Sequence, residues 1–81
     1  MILYQAEAYW ARPTGGMDYL ETKVFKTKAA VRRWAKEMFD DHSRSTMHCS
    51  NLSAADGYPM VFYDDDESRG FRIEVKWVEV G

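Results

Sequence analysis

The hydrophobic repeat of this chain changes period at Thr27. Before it, residues 2–12 place Ile2, Tyr4, Ala6, Ala8 and Trp10 on one side of an extended chain and Gln5 and Glu7 on the other, the two-residue alternation of a half-buried strand. After it, Ala30, Val31, Trp34, Ala35 and Met38 fall into the stripe of an amphipathic helix. The period returns to two at Phe71, where Phe71, Ile73, Val75 and Trp77 alternate with Arg72, Glu74 and Lys76. Each of these amphipathic faces needs an apolar partner, so the chain is expected to pack one helix on a sheet.

Turn formers divide the remainder. Pro13, Thr14, Gly15 and Gly16 mark a reversal, because proline presets φ and glycine permits positive φ. A second strand is expected over residues 18–26, where Leu20, Thr22 and Val24 alternate with Tyr19, Glu21, Lys23 and Phe25 and both faces keep apolar groups. Thr27 suits the N-cap of a helix running through KAAVRRWAKEMFDDH, although Ala30 three positions later closes no capping box. Residues 42–59 read as connection, longer than the usual ~4–6 residues, with a helical turn near Leu52 to Ala55 or a binding loop inside it. Met60 to Tyr63 read as a short strand, followed by a turn in which Gly70 is expected at positive φ.

The expected fold class is α+β: one compact domain over residues 1–81, with β-β-α-β-β order in two layers and the helix on one face of an antiparallel sheet. Pattern does not say whether the two hairpins join into one sheet. Trp10, Trp34 and Trp77 are assigned to the core, since each lies on the inward stripe of its element. The opposite sheet face collects Tyr9, Tyr19, Phe25, Tyr63, Val78 and Val80, an apolar surface that a homodimer would cover.

Charge is small overall, at −2, but unevenly distributed. Residues 1–40 hold seven Lys/Arg against five Asp/Glu, and residues 41–81 hold four against eight. On the helix, Lys28, Arg32, Arg33 and Lys36 occupy the N-terminal part, while Asp40 and Asp41 stand at the C-terminal end, the reverse of what the helix dipole favours. The row reads as a solvated face, as a protein-binding face, or, with Lys23 and Lys26, as a track for phosphates. Asp64, Asp65, Asp66 and Glu67 form the acidic counterpart, a solvated hairpin tip or a contact for a basic partner. Their spacing lacks the alternating ligands and central glycine of a calcium loop.

Catalytic and metal chemistry find little support. His42, His48 and Cys49 are the only residues of their kinds and cluster within eight positions, yet adjacent His48 and Cys49 point apart in an extended segment, and a fourth zinc ligand would have to come from Asp41 or Asp56. Gly15 and Gly16 lack the Gly-Lys-Ser/Thr that completes a phosphate loop. With one cysteine no intrachain disulfide forms, so a reducing cytosol is expected, and no apolar run approaches the ~18 residues of a membrane span. The expected function is therefore noncatalytic and free of metal and cofactor. It is that of a small interaction module acting as regulator, inhibitor or accessory subunit of a larger protein, a size class shared with accessory proteins of phages and mobile elements. The competing expectation is a nucleic-acid module using the basic helix.

Overall fold

Alternation makes the first and last long segments neighbours. β1 (Ile2–Ala11) and β5 (Gly70–Glu79) run antiparallel along their whole lengths, from Ile2 opposite Glu79 to Ala11 opposite Gly70. Tyr4, Ala6, Ala8 and Trp10 thus share a face with Trp77, Val75, Ile73 and Phe71. The computed structural model describes residues 1–43, 45–50, 60–66 and 69–81. In it β2 (Met17–Phe25) pairs with the outer side of β1, β4 (Met60–Tyr63) with the outer side of β5, and a short β3 (His48–Ser50) with β4. The result is one five-stranded antiparallel sheet of order β2-β1-β5-β4-β3. Both hairpins join through its two central strands.

α1 (Lys28–His42) begins where Thr27 Oγ1 accepts the Ala30 N–H at 3.1 Å, and its C-cap Ser43 donates N–H to Phe39 O at 2.8 Å. Val31, Trp34, Ala35, Met38 and Phe39 are buried against the sheet. Ala6 and Ala8 have no exposed surface, and their small side chains let the helix lie close to β1. Phe71, Ile73 and Val75 of β5 and Met60 and Phe62 of β4 complete the core. Burial of each such large side chain stabilises the fold by about 1.5–3 kcal/mol. No helix among the described residues is long and apolar enough to cross a membrane.

The β1–β2 turn forms as its residues require. Gly15 donates N–H to Arg12 O at 3.0 Å, Arg12 donates to Gly16 O at 2.8 Å, and Gly15 sits at φ +94°, which a side chain would strain. Gly70 differs from expectation. It does not adopt positive φ; it opens β5 where an added Cβ would lie 3.2 Å from the Asp66 carbonyl oxygen.

Several other expectations are corrected. Trp77 is 51% exposed; the described pairing of β4 along β5 ends at Val75, and Tyr4 is the one described strand neighbour of Trp77. Trp10 is half-buried, and of the three tryptophans only Trp34 is a core residue. Phe25 belongs to the helix side, where its ring meets Trp34 at 5.5 Å. Tyr9 does lie on the open face but is buried, its hydroxyl donating to the Glu74 carboxylate. In β2, Glu21 faces Ala8 while Tyr19 faces Tyr9, so Leu20 is the extra residue of a β-bulge. His48–Ser50 is a strand within what reads as connection, and the helical turn expected at Leu52 to Ala55 lies outside the described residues, as does Glu67.

Candidate functional site

The stripe that docks α1 on the sheet turns Lys28, Arg32, Arg33 and Lys36 outward, and all four are exposed. Lys28, Arg32 and Lys36 succeed one another at four-residue steps and stand in a row along the helix. Lys36 Nζ pairs with Asp40 at 3.2 Å, a solvent-exposed contact of little energetic weight. Lys28, Arg32 and Arg33 have no ion-pair partner among the described residues. The first helical turn carries no acid, so the positive end of the helix dipole and the cationic row reinforce each other.

The acidic turn is organised differently. Asp64 is half-buried and accepts the Ser43 hydroxyl at 2.5 Å, the Phe71 N–H at 3.2 Å and the Asp66 N–H at 3.2 Å. Asp66 accepts the Arg69 N–H at 3.1 Å. Asp65 is exposed, with Oδ2 2.7 Å from His48 Nε2, and His48 stacks on Tyr63 at 5.4 Å. Two of the three described acids therefore brace the turn into β5 rather than forming a free anionic tip. Sequence reading missed this because the bonded N–H groups and Ser43 come from separate segments.

Beside the brace lies a cleft of about 310 Å³ bounded by Trp10, His42, Ser43, Asp64, Asp66 and Arg69. The Arg69 guanidinium lies 4.6 Å over the Trp10 ring, and His42 stands edge-on to Trp10 at 6.0 Å and stacks on Phe71 at 5.5 Å. Serine, histidine and aspartate meet here without forming a nucleophilic relay. Ser43 donates directly to Asp64, whereas a relay requires the imidazole between them. His48 and Cys49 are on different faces of β3, opposite Tyr63 and Phe62 respectively. No group of three or more His, Cys, Asp and Glu is placed to hold a metal among the described residues.

The open sheet face is not one apolar patch. A polar band crosses its centre, with Gln5 donating to Glu7 at 3.3 Å, Lys76 3.9 Å from Glu7, and Arg72 donating to Glu74 at 3.1 Å. Tyr63 lies to one side of this band, and Met17, Tyr19 and Val24 of β2 lie to the other, all exposed. Val78 is half-buried and Val80 lies past the end of β5. At the hairpin end, Arg12 forms a two-pronged pair with Asp18, with Nε donating to Oδ2 at 2.9 Å and Nη2 to Oδ1. That hydrogen bonding, opposed by desolvation and aided by the charges of Arg12 and Arg69, holds the Asp18 carboxyl below its ordinary pKa, and Arg12 is raised by the same contact.

Compared with known proteins, the chain matches no family model, no curated protein and no solved structure.

Proposed function

We propose that this protein is a noncatalytic interaction module, a regulator, inhibitor or accessory subunit, that engages an acidic surface of a larger protein through the outer face of α1. The observation that carries this reading is the exposed row Lys28, Arg32, Arg33 and Lys36, whose first three members are unpaired among the described residues. Cations near a helix N-terminus are unfavourable by about 0.3–1 kcal/mol each when little screened. An anionic partner turns that local cost into attraction. Arginine forks suit carboxylates, and a one-signed row on a protein of net charge −2 orients encounter with the partner.

The same four-residue spacing would also follow a phosphate backbone, which keeps a nucleic-acid reading as the alternative. Parallel affinity capture from native cell extract with the wild-type chain and R32E/R33E, each with and without nuclease, separates them. A protein retained by the wild type, lost with the variant and insensitive to nuclease supports the proposal. Retention by both chains refutes the helix face. Nuclease-sensitive retention, together with salt-dependent anisotropy of duplex or single-stranded oligonucleotides at ~50 mM salt, would replace it with the nucleic-acid reading.

A further inference from the structure

β2 forms one edge of the sheet, so its outer row of backbone N–H and C=O groups has no neighbouring strand among the described residues. It is nine residues long, against three for β3 at the opposite edge. Its middle, Leu20-Glu21-Thr22-Lys23-Val24, is chemically self-complementary about Thr22. We infer that β2 pairs antiparallel with β2 of a second copy of this chain, across a two-fold axis at Thr22.

In that register Glu21 meets Lys23 twice, Leu20 meets Val24 twice, and Thr22 meets its own copy. Opposite-charge, apolar and Thr–Thr pairs are the cross-strand combinations that stabilise a sheet. The competing registers centred on Glu21 or on Lys23 would set Glu21 against Glu21 or Lys23 against Lys23, and like charges directly opposed are destabilising. A shift that pairs odd with even positions would set helix-side residues against open-side ones. Among the registers centred on residues 21–23, charge and facing therefore select the one at Thr22.

The monomer leaves these groups available. Glu21 has no ion-pair partner among the described residues, and the described contact of Lys23 is with the Phe25 ring, at 5.8 Å. Leu20 and Val24 are 38% and 51% exposed. The Tyr19 hydroxyl donates to Thr22 Oγ1 at 2.7 Å, holding the central side chain in place. The bulge at Leu20 ends the regular stretch, so pairing spans residues 20–24. Two five-stranded sheets then become one of ten strands. The two-fold axis, perpendicular to the sheet, leaves both helices on the same side.

Sedimentation velocity on the full chain, up to ~1 mM protein, tests the pairing. The wild type is expected to dimerise reversibly, and E21K and K23E are each expected to weaken association by roughly tenfold or more. The double variant E21K/K23E restores it. An equimolar mixture of the two single variants also associates, because two lysines of one chain then face two glutamates of the other. Far-UV circular dichroism confirms that each exposed-site variant is folded. A wild type that stays monomeric, single variants that dimerise as well as the wild type, or failure of the swap and the mixture to restore association would each overturn the inference. No residue of α1 is altered, so the outcome is independent of the proposed helix contact.

Discussion

The cationic face of α1 and the acidic turn before β5 each gather charge of one sign, yet their charges have different employment. Asp64 and Asp66 accept hydrogen bonds from Ser43, Phe71 and the turn backbone. Lys28, Arg32 and Arg33 have no ion-pair partner among the described residues. The contrast follows from backbone chemistry. A carboxylate in a turn is surrounded by N–H donors that have no strand or helix partner, whereas a cation on a helix flank finds the carbonyls already bonded within the helix. A run of acids at a hairpin is thus drawn into the fold, and a run of bases on a helix is left outside.

The most damaging test of that contrast is Asp64→Ala. It removes the acceptor shared by the Ser43 hydroxyl and the Phe71 and Asp66 N–H groups, and is expected to lower stability by about 2–3 kcal/mol in urea unfolding. A loss below about 0.5 kcal/mol would mean that water replaces the brace without cost. Gly70→Ala probes the same turn by crowding. The new Cβ would meet the Asp66 carbonyl oxygen at 3.2 Å, and the expected cost is about 1 kcal/mol in the same assay.

Periodicity carried much of the architecture and little of the brace. The ranges of β1, α1, β4 and β5 were legible because each is long or apolar enough to show its repeat. His48–Ser50 was not, since three residues cannot display a period. Tyr19 and Phe25 are both odd-numbered and read as one face, but the bulge at Leu20 lies between them and puts them on opposite sides. Alternation likewise gives Trp77 its face without saying how exposed that face leaves it. The row from Lys28 to Lys36 was readable from spacing alone, because it depends only on helical geometry. The use of Asp64 depends on where Ser43 and Phe71 arrive in space.

On the other side of the comparison, R32E/R33E is expected to change folding stability by no more than about 0.5 kcal/mol in urea unfolding, since neither guanidinium has an ion-pair partner among the described residues. A larger loss would show that the row supports the fold. Asp65→Ala belongs with it, because the His48–Asp65 contact is solvent-exposed, and a change within about 0.5 kcal/mol is expected. If Asp65→Ala matched Asp64→Ala, the division within the acidic turn would fail.

The Arg12–Asp18 pair is the intermediate case, a carboxylate held by another side chain with both partners at the surface. Its carboxyl titrates below the ordinary value of 3.8, so the folded state binds this proton less readily than the unfolded chain. The contribution is present above pH 3.8 and disappears as pH falls through the depressed folded value. Unfolding midpoints of the wild type and Asp18→Asn should therefore differ slightly at neutral pH, converge as the pH falls through the depressed folded value, and differ less in high salt. A difference that does not shrink as the pH is lowered would assign Asp18 a role in shaping the hairpin independent of its charge. It would then stand with Asp64, as a carboxylate used by the fold, rather than with the unpaired cations of α1.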